Sequence, residues 1–432
     1  MRKLCGIRRE DKNVWEARVS LVPCDIRELL KKGIEFYIQP SEIRAFREKE
    51  FEEVEAHIEE DLSLCPVIFG VKEMPAQFFK KERTYIFFAH VIKGQKYNMP
   101  MLKRMMELGC NLIDYERIVD ENGRRLVFFG RFAGLAGILD TLWAFGQRLS
   151  FEGIKNPFNE IKKTHEYSSL KEIKRAITNI GHKIARNGLP PSISPCIIGI
   201  AGYGHVSRGV QEILDLLPAE EVSPEETGNI AGSGKQLYKV VFKEEDMVEP
   251  VCADDVFELN DYYNHPEKYR SKFHKYLPYL SILMNCIYWT PKYPRLVTKG
   301  DIRRLFTDKN PRLKVIGDIS CDIEGAIEAI LHTTDPGIPV FTYDSQRETA
   351  IPGFKGNGVV IMAIDNLPCE LPRESSESFS KVVKRFVPAI VLADYRVNLD
   401  EIELPAEIKR ALILHKGKLT PDYKYIEQFV GK

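Results

Sequence analysis

The chain has 432 residues, 62 Lys and Arg against 62 Asp and Glu, 44% apolar residues and 10% aromatics. That balance excludes a partner read through bulk positive charge, such as nucleic acid or an acidic membrane surface, because neutralising phosphates needs an excess of cations. The composition also excludes disorder, and the length provides for two or three domains with cores of their own.

Nine cysteines are scattered without a CxxC pair, and most sit inside apolar runs such as 64–71 and 195–200. They are expected to be buried thiols in a reducing, cytoplasmic setting. Met1–Arg9 has no signal-peptide core. The one span-like stretch, Leu126–Gly146, is interrupted by Arg131 and Asp140. Its small residues Ala133, Gly134, Ala136 and Gly137 suit a helix pressed against a neighbour, so a buried helix is expected and no membrane.

In chain order, the predicted strands of the first 150 residues are Leu4–Ile7, Ile34–Ile38, Val67–Val71, Tyr85–Phe88 and Leu112–Asp114. Amphipathic stretches between them (Asp25–Lys32, Glu52–Asp61, Met99–Leu108) predict helices, and the alternation predicts parallel βαβ units. A polar helical region, Tyr167–Arg186, leads through the turn-rich Asn187–Pro195 to a second domain. That domain opens with the apolar run Cys196–Ala201 and continues through Lys239–Phe242, Ile282–Ile287, Leu313–Gly317, Val340–Tyr343 and Gly358–Ile364. The loop Val222–Gln236 reads as an acidic surface excursion.

Three features carry chemistry. First, Gly202-x-Gly204-x-x-Ser207 follows a predicted strand and opens an amphipathic helix, the context in which such a turn cradles a dinucleotide pyrophosphate. Ser207 replaces the third glycine, and a plain glycine turn is the alternative. The next strand reads as Glu220–Val222; the neutral Ser223 after it would tolerate a 2′-phosphate, while Glu225 and Glu226 would repel one. Second, Lys72-Glu73, His90 and Asp114-Tyr115-Glu116 each follow an apolar run, and open α/β sheets bind ligands outside the carboxyl ends of their strands. Third, the first 18 residues hold six cations against three acids, either a clamp for an acidic substrate or a self-neutralising charged loop. No HxxxH or HExxH pair and no GxSxG elbow supports a metal site or a hydrolytic triad.

The order of motifs resembles a known family. Ile7–Pro23, Phe69–Glu73, Phe87–Gln95, Leu112–Glu116, Phe129–Gly137, Gly202–Gly209, Cys286–Trp289, Asp318–Asp322, Ile364–Pro368 and Leu419–Ile426 resemble lysine–2-oxoglutarate reductases. These are the saccharopine-forming half of the bifunctional lysine-degrading enzymes, related to alanine dehydrogenase and transhydrogenase.

The resemblance implies an α/β fold of two Rossmann-like domains with mostly parallel sheets and a cleft between them. It divides the chain into a catalytic domain, 1–147 completed by 366–432, and a dinucleotide-binding domain, 148–365. The implied reaction joins lysine to 2-oxoglutarate and reduces the imine with NADP, or NAD, as cofactor. Lys72 is implied as base and His90 as acid. Arg18 and Arg125 would grip carboxylates, and Lys12, Glu16, Glu73 and Glu116 would tune charge or hold the amine. Gly202, Gly204, His205, Val206 and Ser207 would hold the dinucleotide, with Asp318 or Asp322 near the nicotinamide, and no metal is implied.

Three departures are visible. The chain stops at Lys432, so a separate saccharopine-oxidising enzyme is expected to take the product. Arg131 adds a cation where some relatives are neutral, and Lys12 lies one residue further from Glu16 than in the fungal single-function enzymes. Another amine and oxo-acid pair, or a non-catalytic nucleotide sensor, are the alternative functions.

Overall fold

The computed structural model describes residues 3–232, 234–308 and 310–431. These form two compact units, 1–129 with 372–432, and 130–371.

In the first unit, β1 (Leu4–Ile7), β2 (Glu35–Ile38), β3 (His57–Ile58), β4 (Val67–Phe69), β5 (Thr84–Phe87) and β6 (Asn111–Asp114) make a parallel sheet in the order β6-β5-β4-β1-β2-β3. The returning chain adds the antiparallel strand Leu412–His415 beside β6 and Lys418–Leu419 beyond it. Alternate residues feed opposite faces: Ile86 and Ile113 enter one apolar cluster, while Tyr85, Phe87 and Leu112 enter another. Burial on both faces is why these strands read as continuous apolar runs.

Helices α1 (Pro23–Leu30), α2 (Glu48–Glu52) and α3 (Met99–Glu107) flank the sheet connections. The helix expected over Glu52–Asp61 is not formed. The chain turns at Glu55 (φ +67°), and His57–Ile58 instead pairs with β2. Returning helix Pro372–Val383 braces the segment after Arg18: the Ser376 and Ser380 hydroxyls accept from the Val19 and Val22 N–H groups, both at 3.0 Å.

The second unit begins with α4 (Gly130–Phe151), whose buried residues belong to that unit's core, so the changeover falls at 129/130 rather than at Gln147, and the chain returns at Pro372 rather than Asn366. After α5 (Leu170–Asn187) come β7 (Cys196–Ala201), α6 (His205–Leu214), β8 (Ala219–Glu221), β9 (Leu237–Phe242) and the small antiparallel pair β10 (Val248–Pro250) and β11 (Tyr269–Ser271). They are followed by β12 (Ile282–Asn285), β13 (Val315–Asp318), β14 (Val340–Asp344), β15 (Thr349–Pro352) and β16 (Val359–Met362). The sheet order is β15-β14-β16-β13-β12-β7-β9-β8, parallel from β8 to β16, with β14 and β15 antiparallel at one edge.

This order corrects one expectation. The strand beside β7 is β9, and β8, with its exposed Glu220 and Glu221, is the outer edge. Ser223 therefore does not follow the strand next to the glycine turn. Among the described residues, no helix is long and apolar enough to cross a membrane, α4 included.

Candidate active site

In the first unit, side chains after β4, β5 and β6 meet the loop after β1. Two buried carboxyls fix this edge. Glu10 accepts from the N–H groups of Val71 (2.7 Å) and Lys72 (2.9 Å); Asp114 accepts from those of Ala89 (3.3 Å) and Glu116 (2.9 Å). Burial raises both to about 7; the Glu16 charge adds to the rise at Glu10 and the Glu116 charge to that at Asp114.

Glu73 is the hub. Its Oε1 accepts from His90 Nδ1 at 2.6 Å, and its Oε2 accepts from the Lys12 ammonium at 3.0 Å. Burial works against its charge, but His90 and Lys12 outweigh burial and hold Glu73 below the ordinary carboxylate range. His90 takes a left-handed backbone (φ +48°), secured by Asn98 Nδ2 donating to the Ala89 and His90 carbonyls at 3.0 and 3.2 Å. Asn98 was not foreseen. Lying alone on a turn ahead of α3, it has no spacing that marks it.

Lys72 is half-buried, and its ammonium makes no hydrogen bond or ion pair among the described residues. Burial lowers its pKa, and the Arg18 and Lys12 charges lower it further, against the opposing pull of Glu16 and Glu73. An amine so placed gives up its proton more readily than a surface lysine does.

Arg18 is not presented as an open grip. Its guanidinium donates to both carboxylate oxygens of Glu16 (2.7 and 2.5 Å), the side chains are 2% and 0% exposed, and it lies over Phe129 at 4.3 Å. Arg125 is open instead: 44% exposed, 3.8 Å from Glu116, and 6.0 Å from the ring of Phe88, which stacks on His90. Thus Lys12, Glu73 and His90 are in contact, Glu16 and Arg18 form a buried pair, and Arg125 with Glu116 reaches the same strand edge through Phe88.

In the second unit, Gly202 (φ +95°) makes the turn after β7, and a Cβ there would lie 3.1 Å from Ile287 and 3.3 Å from the Cys286 carbonyl. Gly204 caps α6, and a Cβ on it would meet nothing within 4 Å. His205, Val206 and Ser207 form the first turn of α6, whose N–H groups have no intrahelical partner. The positive end of this ten-residue helix fits a pyrophosphate.

The close-packing glycine is Gly209, not position 207. A Cβ on it would lie 2.1 Å from the Arg131 carbonyl, and one on Gly134 2.0 Å from the Val206 carbonyl. These glycines let α4 and α6 touch, as the small residues of α4 suggested. Arg131 itself forks onto Glu212 at 2.7 and 2.7 Å.

Asp318 ends β13 level with Asn285 of β12. Buried, it accepts from Asn285 Nδ2 (2.9 Å) and the Ser320 hydroxyl (2.7 Å), and burial raises it to about 6. Asp322 is exposed in the tight turn beyond, so the structure separates the two aspartates.

Two family models match this chain: alanine dehydrogenase/PNT, N-terminal domain, over residues 6–136, and its C-terminal domain over 267–422. Residues 6–136 and 267–422 are thus similar to the two domains of the alanine dehydrogenase/PNT family. The chain is 37% identical over 98% of its length to alpha-aminoadipic semialdehyde synthase of Arabidopsis thaliana, covering 41% of that protein. With the mitochondrial alpha-aminoadipic semialdehyde synthase of Bos taurus it shares 34% identity over 98% of this chain and 47% of that one. The chain thus spans less than half the length of these relatives. Saccharopine dehydrogenase [NAD(+), L-lysine-forming] of Candida albicans matches at 28% identity over 86% of this chain and 88% of that one. An L-alanine dehydrogenase structure shares the fold, with a TM-score of 0.63 at 15% identity, covering 99% of both chains.

Proposed function

We propose that this chain condenses the ε-amine of lysine with 2-oxoglutarate and reduces the resulting imine to saccharopine. The observation that carries this reading is the Lys12–Glu73–His90 chain beside an unpaired, pKa-lowered Lys72. Joining an amine to a ketone needs a base to take the ammonium proton and an acid to expel the carbinolamine hydroxyl as water. Lys72 takes the proton. His90, held through Nδ1 by Glu73, offers its other ring nitrogen as the acid. Arg125 and Lys12 face the carboxylates of the oxo acid, while Arg18, buried with Glu16, keeps Lys72 poised. When bound, a nicotinamide dinucleotide would supply the hydride, and Gly202, Gly204 and the first turn of α6 would hold its pyrophosphate.

The test is consumption of reduced nicotinamide with lysine plus 2-oxoglutarate. Turnover with a different amine or oxo acid, and none with this pair, overturns the substrate assignment.

For the cofactor we favour NADPH, on a residue other than the one the sequence indicated. Phe242 accepts from the Gly202 N–H at 2.9 Å, so Lys243, exposed and without an ion pair among the described residues, stands level with the glycine turn. The neighbouring Glu244 is occupied by the Tyr263 hydroxyl at 2.6 Å. Lys243 is the cation available to a 2′-phosphate there, set against the acids Glu244, Glu245 and Asp246 that follow it. Lys243→Ala should raise the KM for NADPH and leave that for NADH unchanged; a wild-type preference for NADH refutes it. Of the nine thiols expected to be buried, Cys24 and Cys252 are exposed and Cys286 and Cys321 half-buried.

A further inference from the structure

The first unit holds a cavity of about 930 Å³ at the amino-terminal end of its sheet. One wall is the amino-terminal edge of β4, β5 and β6, with Val67, Thr84 and Asn111 as first residues; the other is the returning segment 391–396. Lys72, His90 and Glu116 follow the carboxyl ends of these same strands, which are themselves about 10–13 Å long.

The lining is amphipathic. Pro66, Val67, Val391 and Leu392 make an apolar wall, of which Leu392 is 55% exposed. Around it stand five cations, Lys3, Lys81, Arg83, Arg396 and Lys416, against two acids, Glu82 and Asp394. Arg396 is neutralised by Asp394 through two bonds of 2.8 Å. Lys3, Lys81, Arg83 and Lys416 have no ion pair among the described residues, although ion pairs are plentiful elsewhere. Arg83 is anchored by donating from Nη2 to the Ser63 carbonyl at 2.9 Å, while its Nε is buried without a partner. In a chain of zero net charge, this leaves a locally positive cavity with an apolar wall.

We propose that this cavity binds an amphipathic organic polyanion of nucleoside-phosphate size. Its flat apolar part would lie on Leu392 and Pro66, and its phosphates would meet Lys81, Arg83 and Lys416. The volume is within the range of small-molecule sites, and multiple cations beside an apolar surface select for charge and a ring together. Bound there, the ligand ties the returning segment to the sheet, and the returning helix Pro372–Val383 holds the loop that carries Arg18. The site therefore acts at a distance from the proposed chemistry and does not depend on it.

The experiment is calorimetric titration of ADP into the whole chain already saturated with NADPH, so that the glycine turn is filled. One equivalent of ADP should still bind, and Lys81→Glu with Lys416→Glu should weaken it on the order of 100-fold while NADPH affinity stays unchanged, which also shows that the variant is folded. Pyrophosphate alone should bind more weakly than ADP, because it cannot use the apolar wall. No binding once NADPH is saturating, or binding that is indifferent to the two charge reversals, overturns the proposal.

Discussion

Glu16→Gln is the substitution whose consequences the structure fixes most closely. The pair with Arg18 is almost fully buried and bidentate, so glutamine keeps the shape but puts an amide donor against a guanidinium that has only donors to offer. A buried cation that loses its partner costs about 3–5 kcal/mol, which at 2–4 °C per kcal/mol for a unit of this size lowers Tm by about 6–20 °C. Adding Arg18→Met removes the stranded charge, so the double variant should be more stable than Glu16→Gln alone. A second readout is kinetic. Glu16 supports the charged form of Lys72, so its loss should lower the Lys72 pKa further and move the acid limb of kcat/KM to lower pH. Differential scanning calorimetry of the wild type and the two variants, with one pH–rate profile, suffices. A Tm change below about 2 °C, or a double variant less stable than the single, refutes the account of the pair.

Lys72→Met should lower kcat by about 10²–10⁴ with cofactor affinity intact; undiminished turnover places the base elsewhere. Gly209→Ala drives a methyl against the Arg131 backbone and should destabilise the second unit by about 1–3 kcal/mol or more, whereas Gly204→Ala should leave stability unchanged and weaken cofactor binding. Denaturant melts paired with cofactor titration separate the two. Asp140 and Glu370 are buried together, with burial and the second carboxyl raising Asp140 and burial raising Glu370 to about 7. Carboxyls raised on folding favour the native state below their unfolded values, near 3.8 for Asp140 and 4.5 for Glu370, and lose that advantage as pH climbs toward 7. The urea midpoint should therefore fall over pH 4.5–7, and Asp140→Asn should flatten the fall; an identical slope in the variant refutes the pairing.

The alternation of strands was legible because parallel strands buried on both faces are apolar along their length, as Val67–Phe69, Cys196–Ala201 and the first three residues of Ile282–Asn285 are. The position of Lys72, His90 and Glu116 just beyond such runs was legible for the same reason. What failed was adjacency. Ala219–Glu221 comes next after α6 in sequence, but its two exposed glutamates suit an edge, and the buried Leu237–Phe242 takes the central place beside β7. Order along the chain carries no term for this; burial does, and the composition of the two segments was the available signal. The helix expected over Glu52–Asp61 failed for a local reason, a left-handed residue at Glu55 that lets His57 and Ile58 reach β2.

Charge was the hardest quantity to read, because a residue's sign is visible and its partner is not. The cationic opening of the chain looks like a single strip, yet its members have different fates. Arg8 is buried and pairs with Asp11, Arg9 forks onto Glu60, Arg18 is cancelled by Glu16, and Lys12 shares Glu73 with His90. After these pairings the uncompensated charge at the strand edge lies on Lys72, with Arg125 loosely held at 3.8 Å from Glu116. The dicarboxylic substrate proposed above would therefore meet few free cations rather than many. The buried pairs act through the field they leave at Lys72, and it is there that a base is needed.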